Sequence, residues 1–238
     1  MRILFLGVNS VGYQCYKWLI SQNENVIELI KDKISLNKLN GLMPDIVVSI
    51  GYRHILPFEC LNVPESGVIN SHKSLLPLNR GTDPCFWTMR DQTRAGVTMH
   101  YIDDGVDTGD IISQVEVDYS FSDTAESLYR KLETAQFELF KTTWPQIKSG
   151  NINRKKQETK GTYHGKIDFA NQLNIDLEQK YKAEDLINLL RAATFHPFKN
   201  AFFVKNNKKY YIDIEITPED KVLKSVTDES GFIKPRSG

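Results

Sequence analysis

The chain opens with an uninterrupted apolar run, "RILFLG" (Arg2 to Gly7), that feeds a loop bounded by two glycines, "GVNSVG", and then a helix-compatible stretch, "YQCYKWLISQ". A strand buried on both faces reads as continuous hydrophobic residues, and a tight strand-to-helix turn favours glycine. This opening therefore predicts the first unit of a parallel sheet covered by helices. "DIVVSIG" (Asp45 to Gly51) and "SGVINSH" (Ser66 to His72) are further apolar runs, while "GVTMHYI" and "DIISQVEV" flank an acidic loop, "DDGVDTGD". Leu128, Leu132, Ala135 and Leu139 recur at helical spacing, behind a capping box of Asp123 and Glu126, as far as Trp144-Pro145. The order β-α-β-β-α-β-β-α predicts an α/β class protein with an open, mostly parallel sheet in residues 1–150.

After Gly150 the texture changes. Residues 151–182 begin with the polar "NINRKKQETKGTYHGKID" and read as a surface connector. Residues 183–238 read as a small C-terminal motif: a helix over "AEDLINLLRAATF", then a hairpin in "AFFVKNNKKYYIDIEI" turning at Asn206-Asn207. From Thr217 onward the chain is polar and of marginal expected order.

Thirty basic and thirty acidic residues balance, so no global field favours nucleic acid or an anionic membrane, and neither is expected as a partner. The N-terminal apolar run is too short for a secretory core, and no segment reaches the ~18 apolar residues of a membrane span. Cys15, Cys60 and Cys85 are odd in number and widely spaced, which suits reduced thiols in a cytoplasmic protein.

Three stretches carry chemistry. Gly7 and Gly12 form G-x-x-x-x-G without the middle glycine of a dinucleotide fingerprint or the lysine of a P-loop. It reads either as a structural turn or as a place where Asn9 and Ser10 meet a ligand at the carboxyl edge of the sheet. In "GVINSHKSLLP", Asn70 and His72 are two apart on a strand and so share a face. An amide donor beside an imidazole can hold an oxyanion and shuttle a proton. In "HYIDDGVDTGD", the carboxylates at Asp103, Asp104, Asp107 and Asp110 do not match an EF-hand. A zinc site of His72, His100 and Asp107 lacks any local motif such as HExxH, so no metal is expected. The remaining reading is one carboxylate orienting His72 and favouring its charged form.

"INSHKSLLPLNRGTDPCFW" followed by "GVTMHYIDDGVDTGDIISQ" resembles the formyltransferases that use 10-formyltetrahydrofolate, in both halves of their signature. The resemblance implies a Rossmann-like formyltransferase fold with Asn70, His72 and Asp107 as the catalytic trio, and no metal. Asn70 and protonated His72 would stabilise the oxyanion formed when an amine attacks the formyl carbon, His72 would move the proton, and Asp107 would orient it. Folate would lie against His54, Ile55 and Leu56 and the loop Asp103, Asp104, Gly105 and Val106, largely through main chain. Asn9, Ser10, Lys73, Arg80, Thr82, Trp87, Phe195 and Phe198 would contact the acceptor.

Among acceptors, "NRGTDPCFW" and "LLRAATFHPFKNAFF" look most like the sugar-nucleotide N-formyltransferases. They point to dTDP-4-amino-4,6-dideoxyglucose, for O-antigen, lipopolysaccharide or another surface polysaccharide, with 3-amino isomers close behind. Phosphoribosylglycinamide-type and methionyl-tRNA formyltransferases, a folate deformylase, and a silent folate or sugar-nucleotide sensor are the alternatives. The methionyl-tRNA enzymes carry a larger C-terminal barrel than the segment seen here. Asp83, after Arg80-Gly81-Thr82, departs from the commonest pattern and is unhelpful near phosphate unless it faces the sugar or the cofactor. The aromatic hairpin predicts a homodimer.

Overall fold

The computed structural model describes residues 1–7, 9–157 and 161–221; most of the polar tail expected from Thr217 onward lies outside these residues. The six-stranded central sheet contains β1 (Ile3–Leu6), β2 (Val26–Ile30), β3 (Ile46–Ser49), β4 (Val68–His72), β6 (Gly96–Tyr101) and β7 (Ile111–Glu116). Its order is β2-β1-β3-β4-β6-β7. The first four strands run parallel, whereas β4 pairs antiparallel with β6 and β6 with β7.

Two apolar clusters fill the two faces. Ile3, Phe5, Val48 and Ile69 pack with α1 (Ser10–Ser21) and with Leu128, Leu132 and Phe140 of α5 (Ala125–Ser149). Leu4, Leu6, Val47 and Val68 pack toward α2 (Leu36–Leu42) and α3 (Phe58–Leu61). Neighbouring strand residues thus serve opposite layers, which is the period of two expected of a sheet buried on both sides. The edge strand β2 is not anticipated from the sequence; "VIELI" is only partly buried and carries Glu28 in its middle.

The glycine pair of the first loop has a steric cause. A Cβ on Gly7 would meet Ile50 O at 2.3 Å, and one on Gly12 would meet the same oxygen at 2.2 Å. The chain leaving β3 thus runs against this turn, and only glycine allows the approach.

Helix α5 differs from its sequence reading at both ends. Its N-cap is Thr124, whose side chain accepts from Ser127 N while Ser127 returns a bond to the Thr124 N–H. Asp123, just outside, accepts instead from Ser120, Ser127 and Lys131. The helix also continues through Pro145 to Ser149. Pro145 removes one hydrogen-bonding N–H, but burial of Trp144 and Ile147 on either side of it offsets that loss.

The expected surface connector is structural. Lys155 exchanges two backbone bonds with Ile111 at 2.8 and 2.9 Å. Then β8 (Tyr163–His164) pairs in parallel with β5 (Arg80–Gly81), and α6 (Lys166–Gln172) sets Phe169 edge-on to Phe86. Few apolar residues sufficed to dock it, because backbone pairing does much of the work. The C-terminal helix α7 (Ala183–Ala193) and a hairpin of β9 (Phe202–Lys205) and β10 (Lys208–Tyr211), turning at Asn206 and Asn207, form where expected. Helix α4 (Pro84–Arg90), flanked by α5 and α7, is almost entirely buried.

Candidate active site

Strand β4 ends at the carboxyl edge of the sheet with Asn70 and His72 on one face. The antiparallel neighbour β6 puts His100 directly opposite Asn70 in register. The loop between β6 and β7 then returns Asp107, in a left-handed conformation with φ 53°, beneath both rings. Asp107 Oδ2 is 3.5 Å from His72 Nδ1, and Asp107 Oδ1 is 3.6 Å from His100 Nε2. The carboxylate is itself fixed, since Gly81 N donates to Oδ2 at 2.9 Å.

The bonds assign hydrogens. His100 Nδ1 faces Tyr101 O at 2.8 Å, and a carbonyl only accepts, so Nδ1 carries the hydrogen. Burial pushes the His100 pKa down to about 4, leaving the ring neutral at pH 7 and Nε2 an acceptor. Asn70 Nδ2 approaches that nitrogen at 3.4 Å. One amide hydrogen is thereby held, the amide orientation is set, and the second hydrogen remains for another acceptor. His72 Nε2 likewise donates to Asn79 O at 2.8 Å. Asn79 is pinned by hydrogen bonds to Thr88, Thr93 and Thr162.

Two cavities adjoin this cluster. One, of about 390 Å³, is lined by Asn70, His100 and Asp107 and also by His54, Ile55, Leu56, Asp103, Asp104, Gly105 and Val106. All seven residues expected to face folate thus share one cavity. The other, of about 490 Å³, contains His72 and four of the expected acceptor contacts, Asn9, Lys73, Phe195 and Phe198. The trio therefore spans the boundary, with His72 on one side and Asn70 and Asp107 on the other.

The other four acceptor candidates do not line either cavity. Ser10 is exposed in the first turn of α1. Arg80 sits in the β5–β8 pair. Thr82 bonds the His164 carbonyl through its backbone N–H. Trp87 is 3% exposed and stacks on His164 at 3.7 Å, which gives it a packing role rather than a ligand contact. Asn9, although it borders the larger cavity, uses Oδ1 to cap α1 through Gly12 N.

Lys73 is the half-buried cation among the residues lining the larger cavity. Its ammonium lies 4.4 Å from the Tyr129 ring centroid, and burial lowers its pKa. The sequence reading assigned no role to Tyr129 or Phe169, weighed His100 only as a zinc ligand, and left Asp83 facing the sugar or the cofactor as an open alternative. For His100 a signal existed in "GVTMH", but its meaning depends on the register with β4. Among the described residues, no cluster of three or more His, Cys, Asp or Glu is arranged to hold a metal ion. Nor, among them, is any helix long and apolar enough to cross a membrane.

The formyl transferase family model matches residues 21–143, more than half the chain. The chain belongs to this family. A second model, the N-formyltransferase dimerization C-terminal domain, matches residues 168–218 and so begins within the segment read as a connector. A 4-N formyltransferase from Francisella tularensis superimposes with a TM-score of 0.84 at 25% identity, covering 91% of this chain and 98% of that one. A formyltransferase from Anoxybacillus kamchatkensis, solved with UDP-4,6-dideoxy-4-formamido-L-AltNAc and tetrahydrofolate, is 35% identical, with a TM-score of 0.65, over 71% of this chain and 87% of that one. The methionyl-tRNA formyltransferase of Thermodesulfovibrio yellowstonii is 34% identical over 79% of this chain, which spans 60% of that protein's length.

Proposed function

We propose that this formyltransferase moves a formyl group from 10-formyltetrahydrofolate to the amine of a nucleotide-linked amino sugar, dTDP-4-amino-4,6-dideoxyglucose, for a surface polysaccharide. The observation that carries the reading is the catalytic cluster at the meeting of two cavities, one for each substrate. The smaller has apolar walls at Ile55, Leu56, Ile102 and Val106 and exposes the backbone of the 103–107 loop, which suits a flat heteroaromatic ring hydrogen-bonded at its edge. The larger offers aromatic side chains and a half-buried lysine, in the size range of small-molecule sites.

The donor brings an activated N-formyl group; the chain's own residues do the rest. Asn70 offers the amide hydrogen that His100 does not hold to the developing oxyanion. Protonated His72, its Nδ1–H turned to Asp107, gives the Nε2 proton to the departing folate nitrogen and recovers one at the same nitrogen from the attacking amine. Because Asn79 is pinned by three threonines, the imidazole rather than the loop must move for Nε2 to exchange partners.

Methionyl-tRNA is the competing acceptor, named by the curated relative. The size of the acceptor cavity, about 490 Å³, and the balance of thirty basic against thirty acidic residues favour a small acceptor. A homodimer through the C-terminal region belongs to the same proposal, supported by the matching dimerization model and by exposed Val204, Tyr210 and Tyr211 on the hairpin. Calorimetry with dTDP, UDP, GDP and a purine-pathway ribonucleotide tests the acceptor. Binding of dTDP alone is expected; binding of the purine ribonucleotide instead would replace the acceptor, and UDP alone would replace the nucleotide.

A further inference from the structure

Asp83 is the one carboxylate among the residues lining the acceptor cavity, and the mechanism above leaves it unused. It occupies the N-cap position of α4, with φ 54° and ψ 46°, yet its side chain caps nothing. Aspartate tolerates this left-handed backbone better than most residues, so the conformation is affordable but not free. Partial desolvation raises its pKa against the opposing charge of Lys166, and its side chain makes no hydrogen bond among the described residues. Asp83 is exposed and lines the cavity with no such bond to give up, so its carboxylate can accept a hydrogen bond from a bound molecule.

Its surroundings define that donor. Asp83 is two residues from Gly81, whose N–H holds Asp107, so its Cα lies within about 7 Å of that of Gly81 by chain length alone. The cavity's half-buried cation, Lys73, stands on β4's exit over α5's Tyr129. An acceptor with an anionic diphosphate and a hydroxyl-bearing ring fits such a cavity in one orientation, phosphates toward the lysine and hydroxyls toward the aspartate. Carboxylates recognise sugar hydroxyls in this way in dinucleotide sites.

We infer that Asp83 is the sugar-binding residue of the acceptor cavity, accepting a hydrogen bond from the ring hydroxyl beside the reacting amine. The inference rests on the sugar-nucleotide reading and extends it to the orientation of the sugar.

The test crosses protein and ligand. Turnover is measured for the wild type and Asp83→Asn, with dTDP-4-amino-4,6-dideoxyglucose and its 3-deoxy analogue as acceptors; asparagine keeps the shape and tolerates the backbone. Loss of a charge-assisted hydrogen bond should lower kcat/KM about tenfold with the hydroxylated acceptor, chiefly through KM, and less than about twofold with the deoxy one. An equal loss with both acceptors overturns the inference. So does weakened binding of dTDP alone, measured by calorimetry, because Asp83 is assigned to the sugar only. If the wild type binds dTDP but does not distinguish the two acceptors, Asp83's role falls while the sugar-nucleotide reading stands. A wild type that binds no nucleotide removes both.

Discussion

The two cavities are built on different principles. The donor cavity comes from the sheet edge and two short loops, with apolar side chains, loop backbone and a buried neutral histidine. The acceptor cavity is assembled from the first loop, β4, α4, α5, α6, α7 and the segment after it, and it sets Lys73 and Asp83 in an aromatic surround. On the proposed reading, the first would recognise mainly by shape and main-chain hydrogen bonds, the second by charge. Residues at their boundary should therefore affect the chemical step, whereas residues confined to one cavity should affect the binding of one substrate.

The boundary gives the largest effect. His72→Asn removes the only imidazole placed to exchange a proton with the acceptor, and should lower kcat by ~10²-fold or more while leaving nucleotide affinity nearly unchanged. Turnover near the wild-type rate would end the proton-shuttle role. Asp107→Asn should cost about tenfold to a hundredfold, since the amide can still accept from Gly81 but no longer offers His72 Nδ1 a carboxylate to orient it. Turnover within about twofold of the wild type would reduce Asp107 to a loop residue.

Next comes a residue of one cavity only. Lys73→Met keeps most of the half-buried stem and removes the charge, so acceptor KM should rise about tenfold and donor KM stay within about twofold. Equal changes in both constants would mean the cavities are not separate binding sites.

The same contrast explains what was legible in the sequence. Asn70 and His72 are two apart, so their shared face is a property of any strand, and the donor loops are contiguous stretches. His100 lacked a role beside Asn70 because it meets that residue only through the β4–β6 register, which local sequence does not state. Phe169 and Tyr129 stand forty residues apart on different helices and reach one cavity only after α6 docks, which backbone pairing of β5 with β8 helps to arrange. Trp87 pointed the other way: a tryptophan beside a motif looks like a ligand platform, but its partner is His164. Pro145 looked like a stop until its flanking core residues were placed.

The smallest effect concerns the donor side and needs no substrate. His100 is held neutral by burial, with a pKa of about 4 against 6.5 in the unfolded chain. Between those values the unfolded chain binds the extra proton, so its population grows as pH falls; the loss of stability begins near pH 6.5 and is complete below about pH 4. From pH 7 to 5.5 this one group should cost about 1 kcal/mol of folding stability. His100→Gln cannot titrate, so in denaturant unfolding its stability should fall by about 1 kcal/mol less than the wild type's over that interval, even if it is lower at both pH values. Equal declines would mean that His100 takes up its proton in the folded state. Nε2 would then carry a hydrogen instead of accepting one from Asn70, and the amide would be free to turn away from the reacting carbonyl.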